Sequence, residues 1–303
     1  VNIKRSNISV DQLNQVATAG TKIDANTYAE IILGLPGDSL KAHTQSLRDA
    51  VNAGLSFLRL YQLIMLYDTE LNTPETREAF GLQTRFRVMP RCFGQYGLFD
   101  EVFPCVETEE ICVAQRSLSA EDYLSCRELD LTVEIIHNVH LFRELFGLCK
   151  RFGFPWFDFL LQFHERRRGH GATLKQLYDK FRENNVRALW ESEEEAQSFA
   201  QTHLEEYISN ELGVNELFTA KAVAFFLLQD DLRSALFNEA RRLMQELGRL
   251  DPMMSLYLDE LKEFSKLRKG DILNVENNPE GEFHFDFRAA MEQDFCVDPN
   301  DYV

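Results

Sequence analysis

The cysteines of this 303-residue chain never fall into a CxxC or CxxxCxxC spacing. Cys92, Cys105, Cys112, Cys126, Cys149 and Cys296 therefore offer no short loop that could wrap zinc or an iron–sulfur cluster, whose ligands stand a few residues apart. No metal ligand is assigned within the chain, and the thiols read as free in a reducing compartment, several of them buried. Basic residues are scarce: Lys and Arg number 32 against 49 Asp and Glu, a net charge of −17. Such a surface repels phosphate backbones, so no nucleic-acid partner is expected. Long apolar runs are missing too. The longest, Leu55 to Tyr67, is broken by Arg59 and Gln62 and is too short to span a bilayer. No cationic leader with an apolar core begins the chain, so the expectation is a cytoplasmic protein with no membrane span. What remains, 45% hydrophobic and 27% charged residues, is globular composition for one large or two ordinary domains.

The pattern along the chain divides it into three regions. Residues 1–66 alternate helix and strand. Asp11 to Gly20 reads as a short helix stopped by Gly20. Tyr28-Ala29-Glu30-Ile31-Ile32-Leu33 is a compact apolar run closed by Gly34-Leu35-Pro36-Gly37, which suits a buried parallel strand and turn. Asp38 or Ser39 caps the next helix, with Leu40, Leu47, Ala50 and Val51 on one side and Gly54 at its end. Ser56 to Tyr61 supplies a second strand, parallel to the first through a right-handed crossover. Residues 67–118 are mixed, with a helix start at Thr73-Pro74-Glu75 and a short strand at Glu110 to Ala114. Residues 119–303 are mostly helical. Capping boxes stand at Ser119/Asp122 and Ser192/Glu195, a helix starts at Asp251-Pro252, and a short strand is expected near residues 282–288.

The strongest chemical signal is the strand ending in glycines. It lets a flat ligand approach the backbone, and the helix after it offers amides to polar ligand groups. Ordered motifs accompany it: Asn2-Ile3-Lys4-Arg5-Ser6-Asn7-Ile8, Tyr61-Gln62-Leu63 with Thr69-Glu70-Leu71, Arg87-Val88-Met89-Pro90-Arg91, Glu109 to Ala114, and Leu118 to Tyr123. Through these, residues 1 to about 123 resemble the C-terminal part of the barrel of a radical S-adenosylmethionine (SAM) enzyme, of the kind that often carries an N-terminal cobalamin-binding domain. The rest matches more loosely, as a helical extension. The resemblance implies the last strands of a partial (β/α)6 barrel followed by a mostly helical C-terminal domain, an α/β plus α fold. It implies SAM as cofactor, cleaved reductively to a 5′-deoxyadenosyl radical. It also implies a [4Fe–4S] cluster held by a CxxxCxxC outside this chain and, where cobalamin is used, methyl transfer.

Carried over residue by residue, Ile32, Gly34 and Leu35 occupy the positions that meet the adenine of SAM. Arg5 and Asn7 stand where the family has a recurrent Arg and Asn, candidates for the ligand's polar end and equally for helix surface and cap. Glu30 is expected to line the barrel interior, and Tyr61 and Gln62 to end the last strand at the active-site mouth. Where the family commonly has Glu-Thr after the second glycine, this chain has Asp38-Ser39.

Other features weigh less. Glu134-Ile135-Ile136-His137 is half of a di-iron motif with no second copy, and with His140 reads as partly buried helix. Arg166-Arg167-Arg168-Gly169-His170 is the one basic run, a solvated loop before it is an anion site. Phe152 to Phe163 is aromatic-rich, with Trp156, Phe159 and Phe163 at core spacing and a docking face as the alternative. The start at Val1 without Met leads to the expectation of a downstream fragment of a radical SAM enzyme, inactive alone, whose partners are its missing N-terminal part and a small-molecule or peptide substrate. The rival is a non-catalytic helical scaffold with a structural α/β portion.

Overall fold

The structure, a computed structural model, describes residues 8–23, 25–270, 274, 276 and 279–299. The elements follow in the order α1 (Val10–Lys22), β1 (Tyr28–Leu33), α2 (Leu40–Asn52), β2 (Phe57–Gln62), α3 (Pro74–Phe80), β3 (Gln83–Leu98) and β4 (Glu101–Ala114). Helices follow: α4 (Ala120–Ile136), α5 (Arg143–Arg151), α6 (Trp156–Glu165), α7 (Ala172–Arg187), α8 (Glu193–Thr202), α9 (Leu204–Ile208), α10 (Glu216–Phe226), α11 (Gln229–Glu246), α12 (Pro252–Lys269) and α13 (Phe287–Glu292). The chain divides into two compact units, residues 1–131 with 179–221, and residues 132–178 with 222–303.

In the first unit β1 and β2 pair in parallel, from Tyr28↔Phe57 to Leu33↔Gln62, as the helix–strand alternation predicts. Ser39 caps α2 by accepting from Ala42 N at 3.1 Å. His43, Leu47, Ala50 and Val51 of α2 are buried, as are Leu33 and Leu58 of the strands. Each fully buried leucine contributes about 2 kcal/mol. Among the described residues the sheet stops at two strands and no barrel forms. Besides pairing with β3, the end of β4 bonds the segment after β2, through Cys112 N to Leu63 O (2.9 Å) and Met65 N to Glu110 O (2.8 Å). Helix α1 does not stop at Gly20 but runs to Lys22. Gly20 instead marks a close approach, since a Cβ there would collide with Thr27 Cγ2.

The expected short strand at Glu110 to Ala114 is the end of a long antiparallel hairpin, β3–β4. Its turn is Phe99-Asp100, both at left-handed φ (49° and 67°), the backbone of a type I′ turn that usually calls for Asn-Gly. The irregularity between Val88 and Phe93 includes Arg91 at φ 64°. The hairpin's base packs Val88, Phe93 and Val106 against Trp190, Ala200 and Tyr207.

The second unit packs its aromatic segment inward. Phe157, Phe159 and Phe163 of α6 are fully buried, and Trp156 stacks on Phe159 at 5.2 Å. The core role expected of these aromatics therefore holds. The strand expected near residues 282–288 is absent. Phe283, Phe285 and Phe287 lay their rings on Phe264 and Tyr257 of α12, and the segment bends at His284 and Phe285 with Phe287 N bonded to Phe285 O at 3.0 Å. Asp286 then caps α13.

Candidate functional site

The two strands present two unlike faces. Because registered residues of a parallel pair share a face, Tyr28, Glu30 and Ile32 stand beside Phe57, Arg59 and Tyr61, while Leu33, Leu58 and Gln62 point into the core. On the first face Arg59 lies 3.7 Å from Glu30 and 4.7 Å above the Tyr28 ring, and all three are exposed. One register step along, Ile32 stands beside Tyr61, which is 45% exposed. Ile32 and Leu35 are half-buried on one small cluster formed by Leu63, Met65 and Cys112. Glu30, Ile32 and Tyr61 thus share a face, with Leu35 adjoining through the cluster. Gln62 does not join them. It is buried on the opposite face, where its Nε2 donates to Tyr123 OH at 2.6 Å. Arg5 and Asn7 lie outside the described residues.

The Gly34–Gly37 turn is held from within. Gly34 takes φ +93°, a conformation only glycine adopts freely, and a Cβ there would face the Cys112 carbonyl at 3.4 Å. Its close neighbour is therefore the β4 backbone. Asp38 accepts from Gly34 N (3.0 Å) and Ser39 N (2.8 Å), so its carboxylate closes the turn on itself just before α2. Gln115 completes the clasp: Oε1 accepts from Gly37 N at 2.8 Å, and Nε2 donates to Leu35 O (2.8 Å) and Gly34 O (3.2 Å). No sequence signal marks Gln115 for this role, since it stands 78 positions from Gly37.

The residues present fit an adenosine-type ligand in one respect. An aliphatic and an aromatic side chain stand side by side at the strand ends, with a charged pair one step below. They do not fit an iron–sulfur cluster. Cys112, Cys126 and Cys149 are buried, and burial pushes the Cys112 thiol up to about 11 and the other two higher still, opposing the thiolate that iron needs. Among the described residues no group of three His, Cys, Asp or Glu is placed to hold a metal ion. Glu134 accepts from Asn138 Nδ2 within its own helix turn. In the basic run, Arg166 is engaged by the buried Glu239, with Nε 3.1 and 3.0 Å from its two oxygens. No helix among the described residues is long and apolar enough to cross a membrane.

Comparison with known proteins finds two partial likenesses, and no family model matches the chain. Over 138 residues it is 35% identical to the cobalamin-dependent radical SAM methyltransferase TokK of Streptomyces tokunonensis. Over 138 residues it is 26% identical to the 2-(S-pantetheinyl)-carbapenam-3-carboxylate methyltransferase of Streptantibioticus cattleyicolor. Each match covers 45% of this chain and 19% of the relative, so the chain spans about a fifth of the length of the curated relatives it matches. Both relatives are methyltransferases by name, one of them cobalamin-dependent and radical SAM, and each likeness covers under half of the chain.

Proposed function

We propose that this chain forms the C-terminal part of a radical SAM methyltransferase, with β1 and β2 as closing strands of a partial barrel. In this reading the exposed face carrying Glu30, Ile32, Arg59 and Tyr61 is the barrel interior. The observation that carries it is the exposure of Glu30, Arg59 and Tyr61 on that face, beside the partial likeness of the chain to a radical SAM methyltransferase. Ile32, Leu35 and Tyr61 receive the adenosine of SAM, Glu30 lines the interior, and Arg5 and Asn7 remain candidates for the ligand's polar end. The cluster and the cobalamin are assigned to segments outside this chain, which carries no CxxxCxxC. When bound, these groups supply the electron and the methyl carrier. This chain's part is to bind and orient SAM.

The test is anaerobic reconstitution of the full-length gene product with iron and sulfide, then assay with SAM and reductant. Formation of 5′-deoxyadenosine is expected, with loss in Ile32→Asp. Neither SAM binding nor 5′-deoxyadenosine in the unmodified protein would leave the second reading, a helical module with a structural α/β portion. That reading is favoured by the internal satisfaction of the Gly34–Gly37 turn.

A further inference from the structure

Gln115 follows β4 directly, and its backbone is locked by two bonds with Leu118, N to O at 2.8 Å and O from N at 3.1 Å. Its buried side chain therefore has a fixed origin. From there one amide meets three backbone groups of a distant turn, donating twice and accepting once. Only a primary amide carries that pattern. A carboxylate lacks the N–H and would face two carbonyl oxygens, and an apolar side chain would leave all three groups without this partner. Asp38 and the Ser117 hydroxyl, which donates to Asp38 O at 2.6 Å, close the other side of the turn. The position of Leu35, and with it the packing of Ile32 on the same cluster, is thus set from beyond the hairpin.

We propose that Gln115 is a positioning residue for SAM: its amide holds the Gly34–Gly37 turn so that Ile32 and Leu35 present a preformed surface to the adenosine. This rests on the functional reading above. A preformed surface binds more tightly because less ordering is left to the moment of binding. Gln115 itself touches no ligand.

The experiment measures SAM affinity of the full-length gene product by equilibrium dialysis, beside circular dichroism melts, for wild type, Gln115→Ala and Gln115→Glu. We expect both variants to bind SAM about tenfold more weakly at roughly pH 8.5, as expected for lost hydrogen bonds to a turn. On lowering the pH to about 5.5 the carboxyl introduced in the second variant gains a proton and with it one donor. Its affinity relative to wild type at the same pH then recovers, whereas that of Gln115→Ala does not. Lowered melting temperatures with wild-type affinity in the folded protein would overturn the inference, since Gln115 would then serve stability alone. If Gln115→Ala does not fold, Gln115→Glu decides: wild-type affinity at every pH overturns it. Absence of SAM binding in the unmodified protein is seen before any variant is compared, and would overturn the functional reading together with the inference.

Discussion

Gln62 Nε2 donates to the Tyr123 hydroxyl at 2.6 Å, so the last residue of β2 is tied to α4 while its neighbour Tyr61 stands on the exposed face. Burial pushes Tyr123 up to about 12, so the phenol stays neutral throughout the working pH range. Tyr123→Phe should destabilise the protein by about 1–3 kcal/mol, because a buried amide loses its partner. In urea melts, adding Gln62→Leu should recover part of that loss, and additive losses would show that the two side chains are not coupled.

Gly34 carries a second expectation. With φ +93° and the Cys112 carbonyl 3.4 Å from an added Cβ, Gly34→Val meets both backbone strain and crowding. A loss of about 2 kcal/mol or more is expected from thermal melts, with Gly34→Asn costing less because Asn tolerates left-handed backbone.

In the second unit, His164 Nδ1 lies 2.7 Å from the Thr132 hydroxyl, and burial first, then Arg167 and Arg168, press the His164 pKa down to about 3. The folded protein holds it neutral, whereas the unfolded chain takes up a proton near pH 6.5. Stability should therefore fall as pH drops from about 6.5 towards 3, by at most about 1.4 kcal/mol per pH unit from this group. Urea midpoints across that window should lose this slope in His164→Gln.

His43 titrates with the opposite sign. Burial is the largest influence and opposes its charge, yet Asp130, 2.8 Å away, together with Asp38 outweighs burial and the repulsion of Arg127, leaving the pKa raised. The stabilisation is fully present below about pH 6.5 and is lost as pH rises through the raised value. Replacing His43 by Gln should abolish that alkaline loss in the same melts, and an unchanged profile would mean that the imidazole is neutral when folded.

The hairpin end exposes Tyr96, Leu98, Phe99 and Val102, with Phe99 at 90%. Apolar side chains on a two-stranded ribbon promote association between chains. Light scattering should show less self-association in Phe99→Asp than in the wild type, at unchanged secondary structure.

Much of the local structure was legible without coordinates, because it depends on contacts a few residues long. Ser39, Ser119, Ser192 and Asp251 cap helices as their spacing indicates, and β1 and β2 pair in parallel around α2. The hairpin was not legible, because Phe99-Asp100 adopts a turn conformation that its residue types do not advertise, and Pro90, Gly94 and Gly97 interrupt the strand pattern.

The sequence by itself determined the acidic surface, the helix starts, the alternating apolar runs and the glycine-bounded turn, since each is a property of residue types and short spacings. Only the tertiary structure decided that Gln62 meets Tyr123, that Asp38 ties Gly34 N to Ser39 N, and that Gln115 clasps the turn. The reason is physical: a buried amide or carboxylate is satisfied by whichever backbone group the fold brings within about 3 Å, and that neighbour can lie anywhere in the chain.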